Sequence, residues 1–210
     1  NSARAQQTYD AAVSVCDRYL SDEMTAYQKV TALYEWLALN VTYDRYTLVW
    51  YDLYARAFSG YSLSAIKTQV ETQRSTYQDN ATMTANFNKV LACTTIAEAQ
   101  EVLDEILHKL SVFDAYGAMV ERLAVCDGIS DAFRLLCLVE GIPCLKATGL
   151  GVTSSGTENH AWNKVSIDGH WYVVDATWGR NGDLVTHRWL LLEESDAVDN
   201  HKENCRTDST

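Results

Sequence analysis

Residues 160–178, HAWNKVSIDGHWYVVDATW, decide the fold prediction for this chain. Two runs rich in Val, Ile, Trp and Tyr flank the pair Asp168-Gly169. Such a pair predicts a β-hairpin, because a type I′ turn needs two residues that tolerate positive φ. Counting outward from a two-residue loop gives the register. The predicted pairs are Ile167 with His170, Ser166 with Trp171, Lys164 with Val173, Trp162 with Asp175 and His160 with Thr177.

In this register His160 and Asp175 are diagonal neighbours on one face of the hairpin. Diagonal positions lie ~7–8 Å apart at the backbone, and an imidazole and a carboxylate can bridge that gap with one hydrogen bond. A carboxylate so placed fixes the tautomer of the imidazole and stabilises its charged form. The hairpin alone therefore predicts a His-Asp pair.

A candidate nucleophile lies upstream, in residues 125–141, VCDGISDAFRLLCLVEG. Apolar residues keep near-helical spacing and Gly141 is a typical C-cap, so the segment predicts a largely buried helix that begins near Cys126. At that end, unpaired backbone amides and the positive end of the helix dipole favour thiolate over thiol. A neighbouring imidazolium would complete an ion pair that attacks carbonyl carbon.

Taken singly, each of these three residues has a structural interpretation. Cys126 is one of six cysteines and fits a buried hydrophobic position, His160 fits a core histidine, and Asp175 fits a turn or edge-strand carboxylate. Their joint placement favours a catalytic triad instead.

Five motifs in this order resemble the transglutaminase-like superfamily of papain-type thiol enzymes. They are Cys126-Asp-Gly128 before a helix, Gly141-Ile-Pro-Cys144, His160-Ala-Trp-Asn163, Asp168-Gly-His-Trp-Tyr172 and Val174-Asp-Ala-Thr-Trp178. Residues 27–44 and Tyr116-Gly-Ala-Met-Val120 resemble bacterial members of this family. The resemblance covers residues 24–44 and about 112–192.

The resemblance implies an α+β fold with a papain/transglutaminase-like core, in which the nucleophile helix packs on an antiparallel sheet. It makes Cys126 the nucleophile, His160 the general base and acid, and Asp175 the group that orients His160. The reaction is thiol-dependent acyl transfer through a thioester. No cofactor and no metal is expected for this chemistry.

Four further residues near the triad are candidates for substrate binding: Trp162, Tyr116, Asp127 and Trp178. Asp127 stands where many relatives carry Gln, and Ile129-Ser130 stand where an aromatic residue and Ala are usual, so substrate choice can differ from theirs. The backbone amide of Cys126 is the first expected oxyanion donor. Tyr116 or a Trp is the candidate for the second.

The acceptor of the acyl group stays open. Water makes the protein a cysteine protease or amidase, which we favour slightly, and a Lys amine makes it a crosslinking transglutaminase. The alternative class is a catalytically inactive module that keeps the cleft to bind peptides or surfaces.

The chain is predicted to contain four regions. Residues 1–44 form N-terminal helices of the core, 45–111 a helical insertion of three or four helices, 112–195 the catalytic core and 196–210 a solvated C-terminal tail. The insertion precedes the strand and turn leading to Cys126, so we expect it to wall or cover the cleft. Its aromatic stripe Tyr46, Trp50 and Tyr54 fits core packing better than ligand binding.

Strands are predicted at 142–149, in the hairpin and at 186–192. Between the first two, residues 149–157, GLGVTSSGT, suggest a flexible loop at the rim of the site. His201 and Cys205 have i, i+4 spacing, with Asp196 and Asp199 nearby. Without neighbouring ligands they fit a solvated tail better than a metal site.

Composition limits the partners. The net charge is −11 and no run of Lys or Arg is present, which argues against nucleic acid. No apolar stretch reaches the ~20 residues of a membrane span. The expected partner is a peptide or protein substrate, with the oligomeric state open. The family resemblance and the missing initiator Met favour an exported or cell-surface protein, although no signal peptide is visible at Asn1.

Overall fold

The computed structural model describes residues 2–108 and 111–204 and has the mixed α+β fold predicted from the sequence. The chain divides into two compact units, Asn1–Tyr43 with Ser111–Thr210, and Asp44–Leu110. The borders of the second unit lie one residue from those predicted for the helical insertion. Across the described ranges, no helix has both the length and the apolar character that a membrane crossing requires.

Most of the helices lie before residue 140, and the longer strands follow it. The helices are α1 (Ser2–Tyr19), α2 (Ala26–Asn40), α3 (Arg45–Phe58), α4 (Leu63–Thr76), α5 (Ala81–Ala92), α6 (Ile96–His108), α7 (Cys126–Val139) and α8 (Glu194–Ala197), with a π-helical turn at Gly117–Glu121 and a 3₁₀ turn at His187–Trp189. The strands are β1 (Thr42–Tyr43), β2 (Leu123–Ala124), β3 (Cys144–Thr153), β4 (Gly156–Ile167), β5 (His170–Val174), β6 (Arg180–Asn181), β7 (Leu184–Val185) and β8 (His201–Glu203).

Helix α7 lies at the centre of the first unit. It packs against α1 and α2 on one side and against β3 and β4 on the other. Phe133, Leu136 and Cys137 on this helix are fully buried in the core. Gly141 follows with a φ of 70°, as the predicted C-cap requires. The position of Cys126 is therefore fixed by a helix that is packed on both sides.

The main sheet is antiparallel, with the strand order β5-β4-β3-β8. Strands β4 and β5 pair Ile167 with His170, as predicted, and the neighbouring pairs follow the same register. Both turn residues have positive φ, 53° at Asp168 and 81° at Gly169. The predicted hairpin and its register are thus confirmed as far as Asn163 and Val174, where the pairing ends. The two outermost predicted pairs, Trp162 with Asp175 and His160 with Thr177, lie beyond it.

Three sequence predictions about this unit were wrong. Residues 149–157 are not a flexible loop, because β3 and β4 continue through them to a turn at residues 154–155. Residues 186–192 form no strand beyond one bridge between Leu192 and Val173, and a 3₁₀ turn takes their place. Nor is the segment after residue 196 a solvated tail: His201 is 5% exposed and begins β8, which pairs with β3. Cys205 lies outside the described residues.

Two glycines explain why the sequence predicts a loop where the sheet continues. A Cβ on Gly149 would lie 2.1 Å from the carbonyl oxygen of Lys202 in β8, and a Cβ on Gly151 would lie 2.8 Å from the ring of Trp178. Both residues allow close approach, although in sequence they look like loop residues. In the sequence, these two glycines interrupt the apolar pattern that would otherwise indicate a continuous strand.

The second unit is a four-helix assembly of α3 to α6, in agreement with the predicted three or four helices. Trp50 is 3% exposed and packs on Phe87 with ring centroids 4.8 Å apart. Tyr46, by contrast, is 45% exposed and contacts Tyr77. The aromatic stripe therefore serves packing mainly through its central residue. The role of this unit as a lid stays a prediction.

Candidate active site

Cys126 is the first residue of α7 and is 9% exposed. The first backbone N–H groups of a helix have no partner within it, and the positive end of the helix dipole lies there. An anion at this sulfur, or on a carbonyl oxygen bound next to it, would be stabilised by these groups. The helix start places the thiol where the sequence predicted it.

The hairpin brings His160 and Asp175 into contact, as the register predicted. His160 lies in β4, Asp175 directly follows β5, and the imidazole Nε2–H donates to the carboxylate Oδ2 at 2.7 Å. The two side chains are only 2% and 1% exposed. Because solvent is excluded, this hydrogen bond between two ionisable groups is strong.

The Asp175 carboxylate accepts three hydrogen bonds. Oδ2 accepts from His160 and also from Nε2 of His201 at 2.9 Å, while Oδ1 accepts from the backbone N–H of Trp178 at 3.1 Å. Burial raises the pKa of this carboxyl, but the hydrogen bonds and charges of the two histidines lower it below the usual value. Asp175 is therefore a buried anion held by three donors.

His160 connects this anion to the thiol. Burial lowers the pKa of His160, but its hydrogen bonds to Asp175 and Cys126 raise it more, to about 10. Since Nε2 is bound to the carboxylate, Nδ1 is the nitrogen left for Cys126. The imidazole therefore lies between a carboxylate and a sulfur, an arrangement that can activate a thiol in enzymes.

The aromatic candidates differ in what they contact. Trp178 stacks on His160 with ring centroids 4.5 Å apart and planes 12° from parallel, and it is partly exposed. Trp162 is 1% exposed and lies beneath the site, so its prediction as a substrate-binding residue was wrong. A ring without exposed surface can support the site but cannot touch a substrate. For Trp178 the predicted contact with substrate stays a prediction.

The two other substrate-binding candidates lie in different places. Asp127 follows Cys126 in the first turn of α7 and forms an ion pair with Lys146 at 2.9 Å, with 44% of its side chain exposed. Its role in substrate choice stays a prediction. Tyr116 lies under the guanidinium of Arg4 and lines a cavity of about 340 Å³ between α1 and α7, to which no triad residue contributes. Nothing in this placement supports Tyr116 as an oxyanion donor.

Tyr43 was not predicted to be a site residue. It ends β1, and its hydroxyl is hydrogen-bonded to the Cys126 thiol. Burial, followed by the charge of Cys126, raises the pKa of this phenol, so it stays protonated and can donate. The parallel pairing of β1 with β2, which leads into Cys126, puts it there. This pairing joins residues 81 positions apart, Thr42 with Leu123 and Tyr43 with Ala124, and no local pattern indicates it.

His201 was also missed, because its segment was interpreted as a tail. With His160 and Asp175 it forms a buried group whose ligand atoms all lie within 4.8 Å of one another, a donor set that zinc accepts. In the described chain, however, both imidazole N–H groups already donate to Asp175 Oδ2. These hydrogen bonds account for the arrangement without a metal.

Comparison with known proteins confirms the resemblance predicted from the sequence. Residues 84–176 match the model of the transglutaminase-like superfamily (Transglut_core), a range that includes Cys126, His160 and Asp175. The match begins at residue 84, inside the helical unit. The sequence motifs after that unit resemble the family only from about residue 112. The last helix of that unit, α6, is thus part of the matched range.

Two curated relatives are similar to a part of this chain. Kyphoscoliosis peptidase from human is 34% identical over 76 residues, and the mouse protein of the same name is 39% identical over 76 residues. Each match covers 32% of this chain and 12% of the relative, so the chain corresponds to a small part of those proteins. A crystal structure described as a TGase overlaps 88% of this chain and 34% of its own, with 16% identity and a TM-score of 0.46.

Proposed function

We propose that this protein is a thiol enzyme that transfers acyl groups from peptide or carboxamide bonds. The observation that carries the proposal is the buried contact from Asp175 through His160 to Cys126 at a helix start. The superfamily match over residues 84–176 supports this type of chemistry, and the name peptidase carried by the two relatives supports a peptide substrate.

In the proposed first step, the Cys126 sulfur attacks the substrate carbonyl carbon. The backbone N–H of Cys126 and the hydroxyl of Tyr43 stabilise the oxyanion, since both lie next to the sulfur. The His160 imidazolium then donates its proton to the leaving amine. The carbon–nitrogen bond breaks, and the acyl group stays on the sulfur as a thioester.

In the second step, neutral His160 removes a proton from the acceptor, which attacks the thioester and releases the thiol. Throughout, Asp175 keeps its hydrogen bond to His160 and fixes the ring, so that the other nitrogen points at the sulfur. Water as acceptor gives hydrolysis and an amine gives transamidation. We favour hydrolysis, because the curated relatives are described as peptidases.

Alkylation resolved by mass spectrometry tests the thiol chemistry. We expect iodoacetamide near neutral pH to label Cys126 much faster than the other buried thiols, and the rate to fall in His160→Ala. Cys126→Ala should remove this fast labelling, whereas the matched variant Cys93→Ala, at the C-cap of α5, should keep it. Equally slow labelling of all thiols in the folded protein would favour the inactive binding module.

A peptide library incubated with and without an added amine then separates the two reactions. Cleaved peptides with a free carboxylate indicate hydrolysis, and peptides joined to the amine indicate transamidation. Both products should be absent with Cys126→Ala and present with Cys93→Ala.

A further inference from the structure

His201 and His160 share a single oxygen of Asp175. The Nε2–H of His201 donates to Oδ2 at 2.9 Å, beside the 2.7 Å hydrogen bond from His160. The side chain of His201 is 1% exposed, so it is as deeply buried as the pair that it contacts. The proposed triad already has a nucleophile, a base and an orienting carboxylate, so this second imidazole has no role in it so far.

We propose that His201 is a positioning residue of the thiol site, which holds the Asp175 carboxylate ionised and directed at His160. This inference rests on the proposed function, since positioning matters only if the triad reacts with a substrate. His201 acts through Asp175 and touches neither the sulfur nor the substrate carbonyl in this role.

The protonation of the ring follows from its surroundings. His201 Nδ1 is buried and has no hydrogen-bond partner, while Nε2 faces the carboxylate oxygen. A proton on Nδ1 would bury an N–H without an acceptor and turn a lone pair toward the anion. A proton on Nε2 satisfies the carboxylate and leaves only an acceptor unpaired, so this tautomer is the favourable one.

Three tryptophans surround the His201 ring. Its centroid lies 4.7 Å from that of Trp178, 4.9 Å from that of Trp162 and 5.4 Å from that of Trp189. Such a wall excludes water and gives the ring no polar neighbour besides Asp175 among the hydrogen bonds of the described chain. The low local dielectric strengthens the hydrogen bond from His201 to Asp175. This bond is therefore the main polar interaction of the ring.

The backbone is shaped for this contact. In β3, Gly149 pairs with His160 on one side, and Gly151 pairs with His201 on the other. A Cβ on Gly151 would lie 2.8 Å from Trp178 and 3.0 Å from the Cβ of His160. The two glycines therefore leave the space in which the histidines of β4 and β8 reach one carboxylate across the strand between them.

The other ionisable groups near the triad do not replace His201. Tyr34 from α2 interacts electrostatically with Asp175, but its hydroxyl donates to the carbonyl of Thr186 at 2.7 Å. Tyr43 from β1 is hydrogen-bonded to Cys126, and Glu158 from β4 acts on Tyr43. Without His201, the carboxylate would keep two donors, His160 and the backbone N–H of Trp178.

The loss of one donor has a directional consequence. Burial raises the pKa of Asp175, and the hydrogen bonds from His160 and His201 oppose this. With His201 removed, the buried anion becomes less stable, and the proton shared with His160 moves toward Asp175. A neutral His160 no longer stabilises the thiolate, so Cys126 reacts more slowly in mildly acidic solution.

The first test needs no variant. In the wild-type protein with ¹⁵N-labelled histidine, NMR at pH 7 should show a proton on Nε2 of His201 and protons on both nitrogens of His160. A His201 ring with its proton on Nδ1 alone would overturn the proposal, since Nε2 could then not donate to Asp175.

The second test compares His201→Phe, which keeps a ring without the donor, with His201→Gln, which keeps a donor at the same distance along the side chain. At pH 6, we expect iodoacetamide to label Cys126 about tenfold more slowly in His201→Phe, as the loss of a hydrogen bond to a charged group implies. In His201→Gln, the rate should stay within about twofold of wild type, because the donor is retained.

The outcomes separate the two proposals. If wild-type Cys126 is not labelled selectively, the proposed function fails. If wild-type labelling is selective and His201→Phe reacts as fast as wild type, or His201→Gln reacts as slowly as His201→Phe, only the positioning role of His201 fails. A packing role alone would lower the melting temperature of either variant without this difference between them.

Discussion

Two His–carboxylate pairs of equal length lie in opposite surroundings in the first unit. His160 and Asp175 are 2.7 Å apart with 2% and 1% of their side chains exposed, whereas His187 and Glu35 are 2.7 Å apart with 56% and 41% exposed. Water and salt screen the second pair, and the cost of fixing two mobile side chains cancels most of its gain. The first pair has no such screening.

The comparison shows that distance alone does not identify a functional pair. At His160–Asp175, every proton and lone pair has to be matched by protein groups, because solvent cannot replace a lost partner. Two further donors, His201 and the backbone N–H of Trp178, supply the hydrogen bonds to Asp175 that water would otherwise make. We therefore expect equivalent changes to have large effects at one pair and small effects at the other.

The largest expected effect is on stability. Asp175→Ala leaves two buried imidazoles without their acceptor and should lower the free energy of unfolding by about 3–5 kcal/mol, as the breaking of buried ion pairs does. Glu35→Ala removes the matched acceptor of the exposed pair and should change it by less than about 0.5 kcal/mol. Urea unfolding at pH 7 measures both. Similar losses in the two variants would break the comparison.

The pH dependence of stability gives the next effect. The folded-state pKa of His160, about 10, lies above its ordinary value of 6.5, so its contribution is fully present below pH 6.5 and is lost as the pH rises toward 10. The stability difference between wild type and His160→Gln should shrink over this window by an amount on the order of a few kcal/mol.

His187→Gln is the matched control for this titration. It should change the free energy of unfolding by less than about 0.5 kcal/mol, because the pair of His187 and Glu35 is exposed and contributes little. A His160→Gln difference that stays constant from pH 6.5 to about pH 10 would show that the buried imidazole is not held in its charged form.

A third change tests the packing around the buried pair. Gly151→Ala puts a methyl group against Trp178 and His160, and we expect a loss of about 1–3 kcal/mol, as for other overpacked sites, together with slower labelling of Cys126. Leu150→Ala, at a neighbouring position that is 39% exposed, should cost less and leave labelling unchanged. Calorimetry and alkylation measure the two effects. An unaltered Gly151→Ala protein would contradict the close approach.

The smallest expected effect concerns Tyr43. Tyr43→Phe removes the hydroxyl that is hydrogen-bonded to Cys126 and should slow its alkylation at pH 6 by up to about tenfold, the value of one modest hydrogen bond. Tyr46→Phe, at a residue that is 45% exposed, is the matched control and should react like wild type. Equal rates in all three proteins would remove Tyr43 from the site.

The parts of the site that depend on local rules could be predicted from the sequence. The pair Asp168-Gly169 fixed the turn, the turn fixed the register, and the register put His160 beside Asp175. The helix start at Cys126 followed from apolar spacing and from the C-cap at Gly141 in the same way. Each inference spans fewer than 20 residues.

The parts that depend on distant pairing could not be predicted in this way. His201 reaches Asp175 because β8 pairs with β3 about 50 residues earlier in the chain, and no feature of its own segment indicates a strand. Trp162 was predicted to contact the substrate, but it is buried. Its burial depends on the groups that pack over it, which its own segment does not indicate. Gly149 and Gly151 held the usable signal, since two glycines in alternate positions of a strand mark close approach as well as a loop.

The titration of the His160 ring tests the central claim most directly: a buried carboxylate keeps this imidazole charged beside a thiol. Followed by ¹⁵N NMR in the wild-type protein, the ring nitrogens should change state with a midpoint of about 10, and Asp175→Asn should lower that midpoint. A wild-type midpoint at or below the ordinary 6.5 would contradict the account.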